Sequence, residues 1–326
     1  MDADTGAGLD EIFDQVPSIA TGRLSVTELP GGLTNRNFKI SMEKATYVVR
    51  VASPGSELLA IDREHEYRNS RRAAAAGVGA PVIEYAPGVG VLVIGFIEGA
   101  TLTNADVADP ANLKRIALAC KALHGAERFD GDFNMFEIQR RYRAIAADRG
   151  FKIPDGYDEL AGAFGAAEQA LARSAANIGA ANIGAANIGA ANIGGDGTVP
   201  CNNDLLAANF IDDGDKIWLI DYEYSGNNDA CFELGNIWAE SHLSDDALVE
   251  LVSEYYGRPL RNKIARARLL GLVGKYGWTL WGAIQAAASP IDFDFWAWGM
   301  ERFDGAVEGF TGPSFGKLLD EVQRDD

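Results

Sequence analysis

The chain has 326 residues, 47% hydrophobic and 10% aromatic, a composition that buries a large core and excludes a disordered chain. Its formal net charge of -18 sets it against nucleic acid and anionic membrane; it favours cationic partners or simply serves solubility. Cys120, Cys201 and Cys231 have no metal-ligand spacing and read as free thiols in a reducing compartment. The acidic start "MDADTGAGLDEIFDQVP" lacks the apolar core of a secretory signal, and no apolar run reaches bilayer length, so a cytoplasmic location is expected.

The first third reads as strands with one helix. "RLSVTELPGGLTNRNFKIS" predicts strand, turn and strand, with Gly31 and Gly32 at the turn. "ATYVVRVAS" is a third strand, and "AIDREHEYRNSRRAAAAG" is helical up to Gly77. "APVIEYAPGVGVLVIGFIEGATL" holds two more strands before the texture changes near Glu98. Two lobes are therefore expected, residues 1–98 and 99–326. The second is mostly helical, beginning with "PANLKRIALACKALHGA", where Pro110 suits a helix start. Short strands interrupt it around "CNNDLLAANFI" and "KIWLIDYEY". Residues 175–194 are four copies of "AANIG", too short to stack as a solenoid and expected to be a surface insertion.

The chemistry concentrates in "NNDLLAANFIDDGDKIWLIDYEYSG". Asp204 in a loop can accept or orient a hydroxyl proton while a phosphoryl group arrives. Asn209, at the start of a returning strand, and Asp221, at the end of the next, offer hard oxygen ligands for Mg²⁺. Strand alternation also puts Glu223 on the side of Asp221. Any one of these acids is ordinary; the ordered set with apolar flanks is not. His65, His124 and His242 have no clustered spacing, which disfavours zinc, and His124 reads as structural.

This stretch resembles the catalytic loop and metal segment of the choline/ethanolamine kinase family, within the aminoglycoside phosphotransferase superfamily. The resemblance implies an α+β, protein-kinase-like, two-lobed fold: a small N-terminal antiparallel sheet with one helix, and a larger helical lobe. It implies ATP and Mg²⁺, Asp204 as catalytic residue, and Asn209 and Asp221 as metal ligands. The family's loop histidine falls on Asn202, which also offers a donor and an acceptor but reaches less far. "LPGGLTNRNFKI" resembles the family's phosphate hairpin, which implies nucleotide contacts from Gly31, Gly32, Thr34 and Asn35. Arg50 falls where a phosphate-gripping cation is expected, with Glu66 as its carboxylate partner and Glu64 as the second choice. "VLVIGFIEG" matches the hinge between lobes, where the backbone from Phe96 to Glu98 would meet adenine.

The C-terminal "KYGWTLWGAIQAAASPIDFDFWAWGMERFDGA" is dense in aromatics, and Trp278 and Trp281 share a helix face. Core packing is the ordinary reading. A quaternary ammonium, however, has no N–H to donate and is held by aromatic faces in an acidic field. By resemblance, Trp278, Trp281, Phe295 and Trp298 form that cage and Glu240 its anionic wall. The implied reaction is transfer of the ATP γ-phosphoryl group to a small cationic amino alcohol, choline first. An aminoglycoside phosphotransferase and a non-catalytic nucleotide- or amine-binding pseudokinase are the alternatives. Neither nucleic acid nor membrane is expected as partner, and a homodimer is allowed for.

Overall fold

The computed structural model describes residues 6–53, 56–177 and 197–324. Most of the AANIG repeat, 178–194, lies outside the described residues, and so does the insertion expected there.

Five strands form one antiparallel sheet: β1 (Arg23–Leu29), β2 (Asn35–Met42), β3 (Thr46–Ala52), β4 (Val82–Ala86) and β5 (Val91–Gly95), in the order β1-β2-β3-β5-β4. Alternation decides what each face carries. Phe38, Ile40, Val49, Val91 and Val93 pack together on one face, while Arg50, next to Val49, is buried toward the second helix. That apolar face is covered by a helix the sequence reading did not anticipate, α1 (Gly6–Phe13). Leu9, Ile12, Phe13, Val16 and Ile19 pack there, and their three- and four-residue spacing is the missed signal. Helix α2 (Arg63–Ala75) starts at Asp62, whose side chain accepts from the amides of Glu64 and His65.

The remainder is mostly helical. In order come β6 (Ala100–Thr101), α3 (Asn104–Val107), α4 (Pro110–His124), α5 (Met135–Arg149), α6 (Ala161–Asn177), β7 (Val199–Cys201), β8 (Phe210–Asp212), β9 (Ile217–Leu219) and β10 (Gly226–Asn228). Four helices follow: α7 (Ala230–Glu240), α8 (Asp245–Tyr256), α9 (Arg261–Ala288) and α10 (Phe295–Thr311), before the short α11 (Phe315–Glu321). β7 pairs with β10, and β6, β8 and β9 form a second small sheet. Among the described residues, no helix is long and apolar enough to cross a membrane.

Two local features place the site. First, the expected strand over "KIWLIDYEY" ends at Leu219, because Asp221 takes φ +64°, a left-handed backbone incompatible with extension. Second, α9 and α10 touch at their backbones. A Cβ on Gly282 would lie 2.8 Å from Gly299 Cα, and only glycine permits that approach. The contact carries Trp281 and Trp298 to a ring separation of 4.8 Å.

Candidate active site

The loop after β7 is held from beneath. Glu233 on α7 is fully buried, and its two carboxylate oxygens accept the amides of Asn202 (2.9 Å) and Asn203 (2.8 Å). His124 Nε2 lies 3.8 Å from that carboxylate, and its Nδ1 is 2.7 Å from the Tyr255 hydroxyl. Cys201 Sγ completes the buried group at 3.6 Å from the imidazole. Glu233 therefore acts as a clamp on the loop's main chain, with both oxygens taken up.

Asn202 is the hub of the site. Its Nδ2 donates to the carbonyls of Ile220 (3.0 Å) and Asp221 (2.9 Å), and its Oδ1 accepts the Asp204 amide at 3.0 Å. One short amide thus joins the Asp204 loop to the strained Asp221 turn. The two segments are joined again where Ile220 N donates to Asn209 O at 3.0 Å. Asn209 lies in a 3-10 turn, Ala207–Asn209, just before β8 rather than in it. Its Nδ2 donates to the Asp204 carbonyl at 2.7 Å, leaving the amide oxygen as the end for a cation.

The charged groups are layered. Arg50 donates to Glu66 Oε1 at 2.7 Å and to Asp221 Oδ1 at 2.6 Å. Glu64 instead faces Arg68 at 3.0 Å. Arg63, which the sequence reading missed, bonds Glu66 (2.7 Å), Glu223 (3.1 Å) and Asn35 (2.7 Å). Its place three residues before Glu66 on the same helix was the available clue. Burial by itself lowers the Arg50 value, but Asp221, Glu66 and Glu223 outweigh it and hold the guanidinium charged. Two carboxyls are raised as well, which for an acid favours the neutral form. Burial, then Asp221, Glu240 and Glu223, push Asp204 well above the usual carboxylate range. Glu223 is raised to about 7, first by burial and then by Asp221, against the pull of Arg50 and Arg63. Crowded anions with raised proton affinity mark a place built to receive positive charge, and the donors are all oxygen, as a hard cation requires.

Several expected contacts differ. Thr34 and Asn35 do not face outward from the hairpin: Thr34 Oγ1 donates to Glu223 Oε1 at 2.5 Å and Asn35 Nδ2 to Glu223 Oε2 at 2.8 Å. Both side chains are buried, because Glu223 reaches up from the second lobe and needs donors. Glu223 does lie beside Asp221, but across a turn and not by strand alternation, since no strand runs there. Gly31, at φ +93°, and Gly32 form the hairpin turn. At the hinge, the Phe96 amide is taken up by Thr46 O at 3.0 Å, so it offers nothing to a base; Glu98 is exposed. Between sheet and loop, Ala80, Leu92, Ile94, Ile220 and Tyr222 line an apolar slot that opens on Arg50 and Asp221.

The aromatic residues are not one four-sided box. Trp281 packs on Trp298 and on Phe295 at a 5.7 Å ring separation, whereas Trp278 packs on Phe133 and Tyr224. Tyr224, also missed from sequence, links the two groups: its ring lies 5.0 Å from Trp278, and its hydroxyl accepts Trp281 Nε1 at 2.7 Å. Trp278, Trp281 and Phe295 are buried, so core packing accounts for much of their surface. Glu240 is not a bare anionic wall, because Arg302 forms an ion pair with it. The same guanidinium stacks 3.3 Å from the Trp298 ring. Arg302 stands one turn beyond Trp298 on α10, the spacing that brings helical neighbours together.

Comparison with known proteins bears on the fold and the family. A family model described as choline/ethanolamine kinase matches residues 26–256. The LicA protein of Haemophilus influenzae is 27% identical over 231 residues, which cover 69% of this chain and 61% of that protein's length. Ethanolamine kinase 2 of Mus musculus is 26% identical over 305 residues, covering 84% of this chain and 73% of its own. Among solved structures, a choline/ethanolamine kinase family protein from Mesorhizobium loti superposes with a TM-score of 0.78 at 26% identity, covering 97% of this chain and 98% of that one. The sheet-and-helix arrangement is thus the α+β, protein-kinase-like one, and with more than half its length matched, the chain belongs to the choline/ethanolamine kinase family.

Proposed function

We propose that the protein transfers the γ-phosphoryl group of ATP to the hydroxyl of a small amino alcohol, choline first, giving ADP and a phosphorylated amine. The two lobes divide the work at about Glu98, with nucleotide held by the sheet side and acceptor by the helical side. The observation that carries the reading is Asn202 joining Asp204 to Asp221 with Asn209 alongside.

Within this scheme, Asp204 orients the acceptor hydroxyl and takes its proton; a carboxylate whose proton affinity is raised accepts more readily than an ordinary one. Arg50 grips phosphate oxygens while Glu66 holds it in place. The apolar slot beside Arg50 takes the base. Asn209 and Asp221 would hold Mg²⁺, which when bound neutralises phosphate charge. Rate enhancement then comes mainly from positioning.

The Arg302–Glu240 ion pair supports choline over ethanolamine. A primary ammonium needs acceptors for its N–H groups, and the nearby Glu240 carboxylate is already paired. A trimethylammonium needs only aromatic faces, each contact worth about 0.5–2 kcal/mol. The test is ADP release with ATP and Mg²⁺ against choline, ethanolamine and an aminoglycoside panel. Turnover of choline that disappears in Asp204→Ala supports the proposal. Turnover confined to aminoglycosides, or nucleotide binding with no turnover of any alcohol, refutes it.

A further inference from the structure

The hairpin between β1 and β2 lies at the free edge of the sheet. β1 is the edge strand, and its residues from Leu24 to Glu28 are exposed, Leu24 at 71%. Its own lobe therefore gives the tip little to rest on. The turn is instead moored to the helical lobe at three consecutive residues, Leu33, Thr34 and Asn35. Thr34 bonds Glu223, and the preceding Leu33 offers its carbonyl to Gln285 Nε2 at 2.8 Å. Gln285 is only 6% exposed and stands four residues beyond Trp281, one turn further along α9. The same rigid helix thus carries the indole that packs on α10 and the amide that sets the height of the hairpin.

We propose that Gln285 is a positioning residue that couples the two substrate sites, touching neither ligand. An amine seated at Trp281 fixes the position of the rigid α9 and with it Gln285, and Gln285 fixes the hairpin main chain over the nucleotide. Reciprocity then requires that each ligand tighten the other. The coupling to amine rests on the amino-alcohol kinase reading; the mooring of the hairpin does not.

The test uses the full chain. A non-hydrolysable ATP analogue with Mg²⁺ is titrated calorimetrically into wild type, Gln285→Met and Gln285→Glu, with and without saturating choline. Gln285→Met removes the donor at similar length; Gln285→Glu keeps the shape and turns an acceptor toward the Leu33 carbonyl. Nucleotide affinity should fall about fivefold in both variants, the worth of one hydrogen bond, with a modest drop in thermal midpoint that is larger in Gln285→Glu, where a buried acid meets a carbonyl. Choline should tighten nucleotide in wild type and do so less in the variants. Faster amide exchange across residues 31–35 should accompany the loss, and this measurement decides the matter if one variant folds poorly. Unchanged nucleotide affinity and unchanged exchange in the variants overturn the proposal. Wild-type nucleotide affinity indifferent to choline overturns the coupling. If wild type also fails to phosphorylate choline or ethanolamine, the kinase reading has failed, and the nucleotide arm still decides the hairpin contact.

Discussion

Replacing Asn202 tests the site at its hub. The residue is fully buried, and its side chain makes three hydrogen bonds, two to carbonyls at Ile220 and Asp221 and one from the Asp204 amide. Asn202→Ala leaves those three backbone groups without that partner. Each net hydrogen bond is worth about 1 kcal/mol, so the loss is about 3 kcal/mol, more if water cannot enter. The left-handed backbone at Asp221 carries strain of about 1–3 kcal/mol that Asn202 restrains, so its release in the variant offsets part of that loss. In Asn202→Ala this turn should relax, moving the Asp221 carboxylate away from Asn209. Differential scanning calorimetry should show a midpoint lower by several degrees. Steady-state kinetics should show kcat reduced at least tenfold, with a raised Mg²⁺ requirement. Asn202→His, which places there the histidine that the family resemblance implies, faces a different obstacle. The imidazole has to enter a fully buried space, and overpacking costs about 1–3 kcal/mol. It should retain part of the activity and melt below wild type. A thermal midpoint and kcat unchanged in Asn202→Ala would refute the claim that this amide ties the two loops together.

Asp204→Asn should lower kcat at least a hundredfold and raise the melting temperature, because it removes a carboxylate whose ionised form is disfavoured by burial and by Asp221; a lower melting temperature would contradict the electrostatic account. Glu223, raised from 4.5 to about 7, contributes stability to the Mg²⁺-free protein at low pH, opposite in sense to the lowered carboxylates such as Asp229. Its folded value lies above its unfolded one, so the stabilisation is complete below about pH 4.5 and is lost as pH rises through about 7, some 3 kcal/mol in all. Glu223→Gln should flatten that part of the chemical-denaturation profile; an unaltered slope would count against it. Arg302→Met strips the partner from buried Glu240 and should destabilise by about 3–5 kcal/mol, with the double variant Arg302→Met/Glu240→Gln recovering most of it. Equal stabilities for the single and double variants would show that the pair does not matter.

How far the sequence can be read varies with the range of the interaction involved. The strands of the sheet, α2, and the start of α4 at Pro110 follow from local pattern, and the structure has them. Helix α1 is equally visible in the apolar spacing of Leu9, Ile12, Phe13 and Val16, although acidic residues lie between them. The order Asp204, Asn209, Asp221 was readable because each stands on a short loop whose ends are set by apolar strands. The turn that carries Asp221 was not, since nothing local announces a left-handed aspartate.

Period and composition, then, are properties of neighbouring residues, so the chain alone determined most of its elements, its acidic character and the residue types available to the site. Partner choice is a property of distance in space. Only packing paired Glu240 with Arg302, turned Thr34 and Asn35 onto Glu223, gave Asn202 its three bonds and sent Trp278 to Phe133 but Trp281 to Trp298, with Tyr224 linking the two. A buried charge or donor takes whichever opposite group the fold delivers, because leaving it unpaired costs more than any local preference can offset.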